Sequence, residues 1–232
     1  MNPVRSPRPT TVVVALLDAH SAIIDRCTGG TLQRLHFIRA ARPHGASDHM
    51  GDAPQPSYHP GTRGETAADA AQRARTTARR QFINAVAPII AGAAAPTEWI
   101  ILGGNRLFTS ALRQALAKSH AGAVIVAGSL HRALRGDTIT ARVAAAVDAH
   151  LAAQDLADVA MLLERTGAHT TGVVGPVASL DAAEHGAVDV VLMSPRYRAQ
   201  QPEDVARLVA ATSARGGRVE TITEGAARIL DE

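Results

Sequence analysis

Between residues 59 and 80 the chain reads HPGTRGETAADAAQRARTTARR, a run of residue types suited to anion chemistry. Gly61, Thr62, Arg63, Gly64 and Glu65 make a glycine-flanked turn that leads into a helical segment. Glycines at such a turn let the backbone approach another backbone closely or take positive φ, and the amides at a helix start favour an anion. Behind the turn come Arg73, Arg75, Arg79 and Arg80, four guanidiniums in eight residues. A protruding helix ringed by arginine suits a phosphate backbone. A solvated helix end, with Glu65 and Asp69 as partners, accounts for the same charges. Glu65 also has two readings. Its charge suits a first helical turn, and a carboxylate can act as a general base if its pKa rises toward neutrality. Arg63 and the helix N-terminus push that pKa the other way, so no catalytic residue is assigned.

Other constellations carry less. His44, His49 and His59, with Asp48 and Asp52, match no common zinc spacing and lie on a segment without periodicity, so no metal is expected. LGGNR (102–106) puts two glycines between a strand and a helix, as phosphate loops do. It lacks the third glycine and the lysine of nucleotide fingerprints, and a tight strand-to-helix turn explains it equally. Ser110, Ser129 and Ser194 have no nucleophile-elbow setting. No cofactor is expected.

These residues must be positioned by elements that the sequence sketches in outline. TVVVALLD (11–18), SAIIDRC (21–27) and TLQRLHFIRA (31–40) read as a meander of three antiparallel strands. Residues 41–63 hold four prolines, three glycines and three histidines, and a loop this long is functional or disordered. A helix follows from Glu65 to about Ala91, with Pro88 a kink or a break. On a 100° wheel, Phe82, Val86, Ile89 and Ile90 share a side with Arg75 and Arg79, while Arg73 and Arg80 face away. Buried unpaired arginines are costly, so the basic turns are expected to extend beyond the domain body. EWIILGG (98–104), NRLFTSALRQALAK (105–118) and GAVIVAG (122–128) read as strand, helix and strand. The first half is thus β-β-β-α-β-α-β. Residues 135–167 form one long helix or two joined ones. Helix 177–186, strand 187–194, helix 202–217 and strand 218–223 then read as a small α/β/α domain.

Composition sets the bounds. The 232 residues are 46% hydrophobic but only 3% aromatic, so alanine and valine must do much of the packing. Net charge is +3, yet residues 1–120 carry fourteen Arg/Lys against seven Asp/Glu and residues 121–232 ten against fourteen. That asymmetry points to a polyanionic partner for the first half, or to ordinary solvated surface. A single cysteine, Cys27, excludes an intrachain disulfide framework and fits a reducing compartment. Neither a signal peptide nor a run of roughly eighteen apolar residues is present, so a cytoplasmic chain with no membrane partner is expected. Oligomeric state is not legible.

EHGAVDVVLMSP, followed about twenty residues on by ARGGRVETIT, resembles the C-terminal domain of the archaeo-eukaryotic class-1 release factor and Pelota-like family. The features are Gly186, Val188 and Asp189 leading into a strand, and Gly216-Gly217 before the next. GVVGPVASLDAA (172–183) is similar to a segment seen there too. The resemblance implies an RNase H-like central domain over residues 1–135 and an L7Ae-like domain over 136–232. It also implies a loop tip at 61–65 that enters the peptidyl-transferase centre, and places this chain beside the bacterial members linked to ribosome rescue or hibernation. Two departures qualify it. The family's Gly-Gly-Gln tripeptide is replaced by Arg63-Gly64-Glu65, and the first strand opens near residue 11, leaving no room for a codon-reading domain. The expectation is a ribosome- or tRNA-bound factor that neither decodes stop codons nor hydrolyses peptidyl-tRNA, with RNA held by Arg63, Arg73, Arg75, Arg79 and Arg80. The alternatives are a peptidyl-tRNA hydrolase using Glu65, or a general RNA- or protein-binding module.

Overall fold

The computed structural model describes residues 9–40, 67–120, 122–168 and 170–231, the side chains of 67–71 and 231 excepted. The chain forms two compact units that divide between Ala146 and Val147.

In the first unit, strands β1 (Thr11–Leu17), β2 (Ser21–Thr28) and β3 (Thr31–Arg39) precede helix α1 (Ala67–Ala93). Strand β4 (Trp99–Gly104), helix α2 (Arg106–Leu116) and strand β5 (Val124–Val126) follow. The sheet order is β3-β2-β1-β4-β5. β2 runs antiparallel to β1 and β3, whereas β4 runs parallel to β1 and β5. β1 is central, and Val12 through Leu17 are all buried. A strand covered on both faces needs a continuous apolar run rather than an alternating one, which is what TVVVALL supplies. Val13, Ala15 and Leu17 join one core with Ile100 and Leu102 of β4. Phe82, Ile83, Val86 and Ile90 of α1 pack onto it at helical spacing, with Phe108, Leu112 and Leu116 of α2. Each such buried side chain stabilises the fold by about 1.5–3 kcal/mol. The rings of Phe82 and Phe108 meet edge to face at 6.0 Å.

Two irregularities have identifiable causes. The imperfect alternation of β3 reflects a bulge: Arg34 opposes Asp25 and His36 opposes Ile24, leaving Leu35 without an opposite residue. The extra residue returns Leu32 and Phe37, five positions apart, to one face of the sheet. Pro88 lies inside α1 without ending it. Its exposed position lets water satisfy the carbonyl that the missing N–H leaves free.

The β1–β2 turn is pinned by Asp18. Its Oδ1 accepts from the amides of His20 and Ser21, both at 2.7 Å. Arg132 Nη1 donates to Asp18 Oδ2 at 2.5 Å and to Ser21 Oγ at 2.6 Å. The same guanidinium lies 5.7 Å from the centroid of Phe37. Burial by itself would raise the Asp18 carboxyl, but the Arg132 bond, the two amides and the Arg132 charge hold it below its ordinary value. At the end of β4, Gly104 donates its amide to Leu130 O and Asn105 donates to Leu17 O. A Cβ on Gly104 would fall 1.9 Å from Leu17 O, and φ there is +106°. Close backbone packing, in which only glycine fits, therefore accounts for the Gly103-Gly104 pair.

The second unit takes the C-terminal part of α3 (Asp137–Gly167), a single helix. It continues through α4 (Pro176–Glu184), β6 (Val190–Met193), α5 (Pro195–Gln200), α6 (Pro202–Ala214), β7 (Arg218–Thr221) and α7 (Glu224–Asp231). β6 and β7 pair in parallel. Val191 and Met193 pack with Ala183 of α4 and Leu208 of α6. Val159 of α3 packs with Ile222, Ala226 and Ala227, and the buried Asp155 accepts the amide of Thr223 at 2.7 Å. The residues of the C-terminal sequence motif meet in space: Arg218 N donates to Asp189 O at 3.0 Å, and a Cβ on Gly217 would lie 2.6 Å from Val188 O. Two short helices, α5 and α7, go beyond the elements expected from sequence. Ser194 caps α5 by accepting from the Tyr197 amide at 3.1 Å, with Pro195 at the first helical position. That proline starts a helix as well as ending a strand.

Two substitutions test these contacts. Gly104→Ala should cost at least about 2 kcal/mol through positive φ and the clash with Leu17. Gly92→Ala, with open space around it, should be neutral or slightly stabilising; equal urea midpoints for the two variants would contradict this. For Asp18, the folded pKa lies below the unfolded value of about 3.9. Its contribution is therefore present above that pH and is lost as pH falls through the folded value. Asp18→Asn should lower the urea midpoint at pH 7, with a penalty that shrinks progressively as pH falls below the unfolded value, whereas a penalty that stays constant with falling pH would contradict the linkage.

Candidate nucleic-acid interface

The basic half of α1 leaves the core where its apolar stripe ends. From Gln72 to Gln81 no side chain is buried, and the stripe begins at Phe82. Arg73, Arg75 and Arg80 are exposed, while Arg79 is half-buried. Arg79 precedes Phe82 and Ile83 by three and four residues, so its stem lies in line with the stripe while its charge reaches water.

A groove of about 700 Å³ runs between α1 and α2, lined by Thr76, Arg79, Arg80, Ile83 and Asn84 on one side. Ala111, Gln114, Ala115, Ala117 and Lys118 line the other. Among the described residues, no carboxylate lines it. The sequence wheel separates Arg79 from Arg80, yet both contribute to this groove: adjacent helical residues are about 100° apart, and the groove is wide enough to take both. Arg75 lies one turn before Arg79 and, like Arg73, is outside the lining. Lys118, the single lysine of the chain, is the basic residue that the sequence reading missed. The available signal was its spacing of four from Gln114 on α2.

A second groove, of about 750 Å³, lies at the C-terminal ends of β4 and β5 and is lined by Gly104, Arg106, Thr109, Ser110 and Arg113. Gln114, Ala117, Val126, Ala127 and Gly128 also line it, again with no carboxylate among the described residues.

The loop-tip residues Gly61, Thr62, Arg63, Gly64 and Glu65, and the cluster of His44, Asp48, His49, Asp52 and His59, lie outside the described residues. Among the described residues no group of three His, Cys, Asp or Glu could hold a metal ion. Cys27 is buried, and burial pushes its thiol up against a smaller opposing effect of the Gly30 amide, which is the environment of a packing residue rather than a nucleophile. No helix among the described residues is long and apolar enough to cross a membrane.

No protein-family profile matches the chain, and no curated protein matches its sequence. Solved structures do. Ribosome-bound archaeal Pelota, in a structure with ABCE1, is 14% identical with a TM-score of 0.54, covering 98% of this chain and 60% of Pelota. Dom34 of S. cerevisiae, described as a translation termination-like factor in RNA quality control that interacts with Hbs1, is 12% identical with a TM-score of 0.54. That match covers 97% of this chain and 62% of Dom34. The chain thus spans about three fifths of the length of either protein. At such identities the likeness is one of fold: a mixed α/β architecture similar to that of Pelota-like factors.

Proposed function

We propose that this chain is a ribosome-associated translation factor of the release-factor-like kind, acting in the cytoplasm in ribosome hibernation or rescue. Residues 1–135 act as an RNase H-like central domain and residues 136–232 as an L7Ae-like domain. The observation that carries the reading is the groove between α1 and α2, which gathers Arg79, Arg80 and Lys118 and, among the described residues, no carboxylate. Such a surface gains from a polyanion and offers little to a neutral partner. Pelota, one of the fold relatives, was solved bound to the ribosome, which supports RNA as that polyanion. Arg63, Arg73, Arg75, Arg79 and Arg80 hold ribosomal RNA or tRNA, and the 61–65 tip reaches toward a tRNA acceptor end.

Hydrolysis is not part of the proposal. Ester cleavage needs a positioned water and donors for the developing oxyanion. Glu65 lacks a side-chain amide hydrogen to donate, and Arg63, two residues before it, favours the ionised carboxylate and so weakens its basicity as a general base.

Co-sedimentation with ribosomes across a salt series tests the binding. Replacing Arg73, Arg75, Arg79 and Arg80 together with glutamine should weaken association and reduce the salt slope by roughly three, at about 0.7 per lost phosphate contact. Unchanged sedimentation of that variant would rule the surface out. On ribosomes carrying peptidyl-tRNA, the purified protein should release no peptide above background; release that disappears in Glu65→Ala would contradict the non-hydrolytic part alone.

A further inference from the structure

The two grooves flanking α2 are parts of one surface. Gln114 and Ala117 line both, so the grooves meet over the C-terminal half of the helix. Arg106, Ser110, Arg113 and Ala117 recur at spacings of four, three and four, which puts them on one helical face, and all four are exposed. Gln114 and Lys118, also four apart, turn toward α1. The result is a track with Arg79, Arg80 and Lys118 at one end and Arg113 and Arg106 at the other. Arg106 and Arg113 are separated by about 10 Å along the helix axis.

Local physics argues that this charge is there for a ligand. α2 contains no acidic residue, and none stands in its first turn. Arg106 occupies the first helical position, where the amides already create positive potential and a carboxylate would stabilise the helix. Asn105 Oδ1 caps the Leu107 amide at 2.9 Å but does nothing for the cation. A helix that starts with arginine and carries no acid of its own is locally unfavourable, and such departures mark functional sites. An anion beside Arg106 removes the conflict. The occupant is an extended polyanion, because the cations are spread over two grooves rather than gathered at a point. Among the described residues neither lining holds an aromatic side chain, whereas the anchors of protein interfaces are most often aromatic.

We infer that an RNA strand held at α1 continues across α2 to the C-terminal ends of β4 and β5, its phosphates held by Lys118, Arg113 and Arg106. This rests on the RNA-binding reading above and extends it to residues on a second helix.

The test is fluorescence anisotropy of a labelled single-stranded RNA oligonucleotide with the full chain across a salt series. Arg106→Gln, Arg113→Gln and Lys118→Gln combined should weaken binding roughly tenfold at low salt and lower the salt slope by about two. Ser110→Glu, which removes no cation and places a carboxylate mid-track on an exposed helix face, should weaken binding in the same direction. If the triple variant and Ser110→Glu both bind like the parent while the α1 quadruple variant does not, the track is overturned and the α1 reading stands. If neither multiple variant loses affinity, both are overturned. Weaker binding with an unchanged salt slope also overturns the track, because the contacts would not be to phosphates.

Discussion

An arginine can be buried only with a partner, and that limits where α1 can touch the sheet. The helix is one piece of 27 residues, about 40 Å long, yet its two halves meet different environments. Phe82, Ile83, Val86 and Ile90 fit against a central strand that is buried on both faces. Gln72 to Gln81 cannot follow them there without desolvating guanidiniums. Packing of the apolar half therefore fixes the axis, and the charged half is carried outward along it. The position of the basic surface follows from what the core excludes.

The sheet that anchors α1 depends on close backbone approaches elsewhere in the first unit. Gly104 sits against Leu17 with no room for a Cβ, which sets α2 directly behind the end of β4. Asn105 then caps α2, and the helix lies beside α1 with Phe108 against Phe82. The groove between α1 and α2 exists because these contacts hold the helices at that separation. Arg26 adds a tie at the other end of α1, donating to Ala93 O at 2.7 Å. Charge at α1 and geometry at β4 are thus coupled through one core.

Much of the first unit was legible in the sequence because its strands are β-branched runs bounded by turn residues, and its helices carry clean apolar spacing. The bulge at Leu35 was not, since it depends on cross-strand register. The helices α5 and α7 were missed because six and eight residues give too few turns for a periodic signal. Of the basic surface, the α1 arginines stood out as a cluster. Lys118, Arg113 and Arg106 did not, because they come together with Arg79 and Arg80 only once α2 packs beside α1. The Gly103-Gly104 pair shows the reverse case, in which a motif that invites a phosphate reading is explained by packing against Leu17 and Leu130.

Photo-crosslinking on intact ribosomes tests the central claim most directly. A benzophenone amino acid at Asn84, on the rim of the α1–α2 groove, should crosslink to ribosomal RNA or tRNA. The same group at Thr31, an exposed position beside the β2–β3 turn, provides the comparison. The account predicts RNA adducts from position 84 that fade with rising salt and are weak or absent from position 31. Adducts from position 84 exclusively to protein, or equal RNA adducts from both positions, would contradict it.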